Sequence, residues 1–212
     1  ASLIGSPSVI QDEICKLIIN NTLILDQSGN IINIKLNINT FAGKIPREIG
    51  QLSKLIRLNL WETQLTGRIP PEIGNLNELQ QIWLSHNRLT DSIPSEIGQL
   101  SKLTVLNLSN NKLTGQIPLT IGQLSELTIL RLSNNQLTGP IPPEIGQLSN
   151  LVYLDFSQNK LTDPIPPKIE QLSNLVHLDF SQNQLLTGSI SDKISKLKTI
   201  NIHHTNITIV DV

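Results

Sequence analysis

The chain is poor in the residues that usually hold a small domain together. Its 212 residues include no methionine, one cysteine, three phenylalanines, two tryptophans and one tyrosine. The lone cysteine, Cys15, excludes an intrachain disulfide, and its place among apolar residues indicates a buried thiol rather than a nucleophile. Aliphatic side chains must therefore supply most of the core.

Charge and long apolar runs are also scarce. The formal net charge is −1, from 16 basic and 17 acidic residues. Phosphate binding needs clustered positive charge, so this balance argues against nucleic acid as a main partner. No apolar run is long enough for a membrane-spanning helix, so we expect no membrane insertion.

Catalytic motifs are missing as well. The sequence has no GxSxG, no HExxH and no phosphate-cradling glycine loop. Its regular acids recur at one repeat position and indicate a solvated edge rather than a general acid and base. These acids are Glu48, Glu72, Glu96 and Glu144. We predict a protein that is not an enzyme and that holds no cofactor or metal.

What the chain does have is an internal repeat of 24 residues. Seven copies begin at Ile31, Leu55, Leu79, Leu103, Leu127, Leu151 and Leu175. A fixed period of this size predicts a solenoid, in which each unit buries its apolar side against its neighbours.

The first half of each copy predicts a short strand. In the copy that starts at Leu103, apolar residues fall at positions 1, 4, 6 and 11, and the alternation at 4 and 6 is typical of a strand with one buried face. Stacked copies then form a parallel sheet. Asparagine fills position 9, where an inward carboxamide can bond to backbone groups of two turns, and Thr63 interrupts the column.

The second half predicts a bend and a short turn. Glycine at position 13 allows a tight bend, and the proline after isoleucine prevents regular helix. The segment Pro-x-Glu-Ile-Gly-x-Leu predicts one helical or 3₁₀ turn that ends at its glycine.

Three segments carry a specific resemblance: 65–70, 113–118 and 137–142, each reading LTGxIP. With them, the repeat resembles the plant-type leucine-rich repeat, LxxLxLxxNxLTGxIPxxIGxLxx, of receptor-kinase ectodomains and polygalacturonase-inhibiting proteins, over roughly residues 30 to 198. The resemblance implies an α/β fold: a curved, right-handed solenoid with a parallel β-sheet on the concave face and short 3₁₀ or helical turns on the convex side. It also implies partner binding on the concave face. A second short strand should expose a threonine column, made of Thr66, Thr90, Thr114, Thr138 and Thr162.

The ends differ from the middle, as capping units must. We predict an N-terminal cap over residues 1–29, with a capping helix over 8–19, followed by seven repeats over 30–199. A shortened terminal repeat occupies 200–212, after an insertion at Leu186. That end has no evident polar cap, so self-association with a second copy of the chain is one way to cover it.

The missing cysteines also bear on location. Plant extracellular members of the family usually have paired cysteines in both caps, whereas this chain has only Cys15. This departure favours a secreted or host-delivered protein of a microbe, such as an effector, and leaves a cytoplasmic location open. Glycosylation sequons stand at Asn20, Asn107 and Asn206.

Candidate binding residues occupy outward positions of the strands. The first group contains Arg57, Trp61, Glu62, Trp83 and His86. Strands lie ~4.8 Å apart, so these side chains can form one patch, and exposed Trp and Arg dominate binding hot spots. The alternative is that the aromatic rings only pack over one another.

The second group contains Arg131, Tyr153, Asp155, His177 and Asp179. Asp155 and Asp179 occupy the same position of adjacent repeats, where like charges repel, so they could oppose a basic partner or share a cation. A solvated polar face explains them better than a metal site, because a fourth ligand is not evident.

These observations predict a protein–protein recognition module that binds another protein on the concave face. The alternative is a surface-binding protein that uses its threonine and asparagine columns on ice, or its tryptophans on carbohydrate.

Overall fold

The computed structural model describes residues 22–35, 43–191 and 197–210. The predicted capping helix over 8–19, Cys15 and the sequon at Asn20 lie outside these residues. No α-helix occurs in the described part of the chain, where the helical elements are 3₁₀ turns.

Short strands and 3₁₀ turns alternate along the described chain. The strands are β1 (Thr22–Leu25), β2 (Ile31–Lys35), β3 (Arg57–Asn59), β4 (Thr66–Gly67), β5 (Gln81–Trp83), β6 (Arg88–Leu89), β7 (Val105–Asn107), β8 (Ile129–Arg131), β9 (Thr138–Gly139), β10 (Tyr153–Asp155), β11 (Lys160–Pro164), β12 (His177–Asp179), β13 (Leu185–Ser191), β14 (Thr199–Asn201) and β15 (Asn206–Val210). The 3₁₀ turns are η1 (Arg47–Gln51), η2 (Pro71–Asn75), η3 (Ser95–Gln99), η4 (Leu119–Gln123), η5 (Pro143–Gln147) and η6 (Pro167–Gln171).

The main sheet contains one strand from each repeat. Its order is β1-β2-β3-β5-β7-β8-β10-β12-β14, with β1 antiparallel to β2 and the other pairs parallel. From Arg57↔Gln81 to Tyr153↔His177, paired residues differ by one sequence period. The predicted parallel sheet is therefore confirmed, and residues at the same repeat position form columns across it.

A second edge of the solenoid is also built from strands. One sheet has the order β15-β13-β11-β9, and β4 pairs with β6. Of the five threonines of the predicted column, Thr66, Thr138 and Thr162 lie in these strands, and Thr90 and Thr114 lie outside them. Thr66, Thr114 and Thr138 are exposed, whereas Thr90 and Thr162 are half-buried. The predicted second strand is therefore present in the other described repeats but not in the one that contains Thr114, and the threonine column is exposed unevenly.

The 3₁₀ turns confirm the prediction for the second half of the repeat, except for the role of glycine. Gly98 lies inside η3 rather than at its end, and Leu100 is the C-cap. A Cβ on Gly98 would collide with the carbonyl oxygen of Thr120 in the next repeat. This glycine is required by the close approach of neighbouring turns, and Glu170 replaces it in η6.

The core is an aliphatic stack closed by buried asparagines. Asn111 donates from Nδ2 to the carbonyls of Leu84 and Leu108, and its Oδ1 accepts from the backbone N–H of Leu89. The predicted asparagine ladder is thus observed, and each rung links adjacent repeats. At the interruption, the Thr63 hydroxyl can donate to the Leu60 carbonyl or to Asn87 Oδ1, and the Thr63 N–H also donates to Asn87 Oδ1.

The terminal unit continues the stack with a changed register. β14 pairs with β12, and β15 pairs with β13. Leu186 is fully buried whereas Leu185 is 64% exposed. Leu186 therefore fills the core place, and Leu185 is the leucine displaced outward by the extra residue, contrary to the assignment from sequence.

Candidate partner-binding face of the sheet

One face of the main sheet is free of other elements in the described chain, and we call it the open face. In the repeats that start at Leu55 to Leu175, the apolar residues at positions 4 and 6 point into the core and are buried, so positions 3 and 5 point to the opposite side. All ten candidate residues from the sequence lie on this face or on the turn that follows it.

A local hydrogen bond fixes most of the position 5 column. Asn59 Oδ1 accepts from the Trp61 N–H, Asn107 Oδ1 from the Ser109 N–H, and Asp155 Oδ1 from the Ser157 N–H. Asp179 Oδ1 does the same for Ser181. Each side chain forms an Asx turn that ends its strand, so both aspartates have a structural role that the sequence reading did not assign.

Position 8, which follows this turn, has a left-handed backbone. The φ angles are +54° at Glu62 and +57° at His86, and Asn110, Asn134, Gln158 and Gln182 share this conformation. Asn tolerates the left-handed region better than most residues, which explains part of the choice of side chains. The exposed His86 side chain is thereby held at the rim of the open face.

A groove of about 480 Å³ runs across the open face. Trp61, Trp83 and His86 line one end, and Arg131 and Asp155 line the other. Asn59 and Ser85 belong to the aromatic end, Ser133 belongs to the charged end, and Asn107, Ser109 and Asn110 lie between the two ends. The groove is therefore apolar and aromatic at one end and charged at the other.

The aromatic end has defined contacts. The rings of Trp61 and His86 meet edge to face with centroids 6.1 Å apart, and Trp61 is 40% exposed. Trp83 is half-buried and lies in register with Asn59 and Asn107. Arg57 and Glu62, which the sequence groups with the tryptophans, lie on or just after β3 but are not among the residues that line the groove.

The charged end continues into a stack of three side chains. The Arg131 guanidinium carbon lies 4.1 Å from the centroid of the Tyr153 ring, and the His177 ring is nearly parallel to Tyr153 with centroids 4.0 Å apart. Because β10 lies between β8 and β12, the cation and the imidazole cover opposite faces of the phenol. Burial in this stack raises the pKa of the Tyr153 hydroxyl above its ordinary value; Arg131 opposes that rise, and the carboxylates of Asp155 and Asp179 add to it.

The two aspartates are neighbours but show no metal site. Asp155 and Asp179 are in register on β10 and β12, and Asp179 Oδ2 accepts from Asn201 Nδ2 at 3.1 Å. Among the described residues, no three His, Cys, Asp or Glu side chains are grouped so that they could hold a metal ion. The same residues include no helix with the length and apolar character needed to cross a membrane.

The structure brings the two predicted groups of binding residues together on one surface. Arg131 and Asp155 line the same groove as Trp61 and Trp83, so the two predicted groups are parts of one surface. Asn59 and Asn107 were missed, although both occupy position 5, whose outward direction follows from the strand alternation.

The regular glutamates differ from the expectation of a solvated edge. Glu72 and Glu144 are half-buried, and each has one carboxylate oxygen that is buried without a hydrogen bond.

Comparisons with known proteins agree with the geometry. One leucine-rich repeat model matches residues 78–137, and a second matches residues 54–76, 150–172 and 174–197. No curated protein sequence matches the chain.

Solved structures extend the likeness. The ectodomain of the receptor kinase GASSHO1/SCHENGEN3 from Arabidopsis thaliana, in complex with CASPARIAN STRIP INTEGRITY FACTOR 2, is 37% identical with a TM-score of 0.79, covering 84% of this chain and 22% of that one. The Arabidopsis receptor kinase HAESA, in complex with the peptide hormone IDA and the co-receptor SERK1, is 32% identical with a TM-score of 0.76, covering 88% and 36%. A plant ice-binding protein is 28% identical with a TM-score of 0.73, covering 87% and 69%.

The chain thus spans about a fifth to about a third of the two receptor ectodomains. The matched repeats extend over more than half of its own length. The 24-residue period, the parallel sheet and the 3₁₀ turns all agree with these matches. The chain belongs to the leucine-rich repeat family, and it is similar to the ectodomains of plant receptor kinases.

Proposed function

We propose that this chain is a non-catalytic recognition module that binds a peptide or an extended segment of another protein on its open face. We take that face to be the concave side of a curved, right-handed solenoid. The observation that carries the proposal is the groove, which places Trp61, Trp83, Arg131 and Asp155 in one recess. Related ectodomains bound to a peptide hormone or another named ligand support the same class of function.

The physical reason lies in how the groove combines its side chains. Trp61 offers a large, partly exposed ring beside His86, and binding hot spots are enriched in Trp and Arg. The surrounding serines and asparagines are small, so a ligand can approach the tryptophans closely. Aromatic anchors then supply affinity, and the charged end supplies orientation.

The test is capture of partners from an extract by the full chain, followed by affinity measurement on variants. Trp61→Ala or Trp83→Ala should weaken binding by about 2 kcal/mol or more. Leu119→Ala is the matched control, because Leu119 is a large apolar residue that is 64% exposed, on η4 away from the open face. Binding that survives the double change Trp61→Ala, Trp83→Ala in a folded protein would contradict the proposal.

A second candidate is ice binding through the threonine column. It is favoured by the exposure of Thr66, Thr114 and Thr138 on the second edge and by the likeness to a plant ice-binding protein. A thermal-hysteresis measurement tests it. If ice is the ligand, Thr114→Ala together with Thr138→Ala should abolish the effect, while Trp61→Ala should leave it unchanged.

A further inference from the structure

The position 5 column of the open face changes its hydrogen-bonding character from one end to the other. Each Asn or Asp of the column that forms an Asx turn uses Oδ1 for that turn, so the remaining atom determines what a ligand meets. In Asn59 and Asn107 that atom is the amide nitrogen, which donates no hydrogen bond to the described chain. In Asp155 and Asp179 it is a carboxylate oxygen. The column therefore offers donors on β3 and β7 and acceptors on β10 and β12.

Arg131 stands where this change occurs. No carboxylate of the described residues lies within ion-pair distance of its guanidinium, and its buried Nε has no hydrogen-bond partner. The Tyr153 ring holds the guanidinium in place without neutralising it. Its charge is therefore left for a ligand.

The end of the column that contains Asp155 and Asp179 should prefer a positively charged group of the ligand. Asp155 Oδ2 accepts no hydrogen bond from the described residues, and it lines the groove through the same side chain. Asp179 lies beside it in register, with only the neutral Asn201 amide on its second oxygen. Arg131 is in register with Asp155 on the other side but forms no ion pair with it, so the two adjacent carboxylates favour a positively charged group between them.

The geometry points to a specific ligand class: we propose that the groove binds an extended peptide with an apolar anchor, then an acidic residue, then a basic residue. This inference rests on the proposed function and adds the order of charges. The anchor contacts Trp61 and Trp83, the acid faces Arg131, and the base faces Asp155 and Asp179.

The strand spacing gives the separations. Arg131 lies two strands from Trp83, or ~10 Å at the usual spacing, and Asp155 and Asp179 lie three and four strands away, or ~14 and ~19 Å. An extended peptide advances ~3.3 Å per residue. The acidic residue should therefore stand about three positions from the anchor, and the basic residue about four to six positions from it on the same side.

The experiment is selection of a random linear dodecapeptide library on the immobilised full chain. Enriched peptides should share a large apolar residue with an acid and a base at the separations above. Replacing Asp155→Asn and Asp179→Asn together should remove the preference for the base and weaken a selected peptide about fivefold, the size expected for partly exposed charge pairs. The same peptide with its base changed to glutamine should bind both proteins alike.

The chain supplies its own folding control for this pair of changes. Asn59 and Asn107 already form the same turn with an amide at the same position, so Asp→Asn keeps the Oδ1 of the turn. At Asp155 the change removes only the charge, whereas at Asp179 it also removes the hydrogen bond that Oδ2 accepts from Asn201 Nδ2, so Asp155→Asn alone is the cleaner variant. Arg131→Gln should remove the preference for the acid in the same selection.

The outcomes separate this inference from the proposed function. Peptides that require Trp61 and Trp83 but show no basic preference, or keep it in the double asparagine variant, overturn the order of charges and leave the recognition function standing. Peptides that bind equally well without the two tryptophans, or a library that yields no binder, contradict both.

Discussion

The two faces of the main sheet are made by the same strands but follow different rules. On the buried side, each repeat places a branched aliphatic residue at position 4, as in Leu58, Ile82, Leu106, Leu130, Leu154 and Leu178. On the open side, the paired residues Trp83, Asn107, Arg131 and Asp155 share neither charge nor size. Stacking restricts the first set, while the second is limited only by the turn that follows each strand. Stability and recognition can therefore be changed separately.

The largest expected effect comes from the buried face. Leu108→Ala removes a fully buried side chain and should lower the free energy of unfolding by about 2–5 kcal/mol. Ile129→Ala, on the open face, is the control and should cost clearly less. Because stacking passes only between neighbours, hydrogen exchange should increase most around residues 84–132. Uniform loosening along the chain would contradict the nearest-neighbour description.

A smaller effect is expected where two repeats approach most closely. Gly98→Ala should lower the free energy of unfolding by about 1–3 kcal/mol, because the new methyl group forces the backbone at Thr120 to move. Glu170→Gln is the control at the corresponding place of η6, because a side chain is already accommodated there and the amide oxygen can still accept from the Ser191 N–H. Urea unfolding measures both. Equal stability of the two variants would mean that this contact does not fix the distance between repeats.

A gain in stability is expected at the bend after the threonine column. Asp91 has a φ of +64° where Gly67 and Gly115 stand in other repeats. Asp91→Gly relieves the left-handed backbone and should raise the free energy of unfolding by about 0.5–1 kcal/mol. Ser92→Gly, the neighbouring change at a residue without positive φ, should lower it. The reverse ranking in thermal unfolding would argue against backbone strain at Asp91.

The smallest effect on stability should come from the aromatic end of the groove. Trp61→Ala should change the free energy of unfolding by no more than about 0.5 kcal/mol, because the side chain is partly exposed and the Asx turn uses only its backbone N–H. The same variant should lose partner binding. A large loss of stability would show that Trp61 serves mainly to pack the open face.

Most of the fold was predictable because it depends on period alone. Leucine and isoleucine positions determine the strand, and the Asn111 column determines the turn after it, with each copy repeating the signal. Gly98 was assigned the wrong role because its reason lies in a neighbouring repeat rather than in its own turn. Leu185 and Leu186 could not be distinguished, since either could fill the core until the register was known.

The sequence was enough to predict which candidate residues point outward, but not which of them line the same groove. Alternation along a strand places Arg131 and Asp155 outward, yet it does not show that they share a groove with Trp83. Asp155 also forms an Asx turn, in which its Oδ1 accepts from the Ser157 N–H. This role depends on the direction of that backbone N–H, which the sequence does not reveal. The left-handed backbone at His86 likewise depends on the turn and leaves only a weak preference for asparagine in the sequence.

The Asx turn of Asn107 also has a consequence for N-glycosylation of this protein. Asn107-Leu108-Ser109 is a sequon, but the side chain is only 5% exposed and its Oδ1 is engaged by both the N–H and the hydroxyl of Ser109. A sugar on its amide nitrogen would occupy the floor of the groove, between Trp83 and Arg131 on the neighbouring strands. Modification at Asn107 should therefore block the groove, whereas the sequon at exposed Asn206 is compatible with the folded molecule and leaves the groove open.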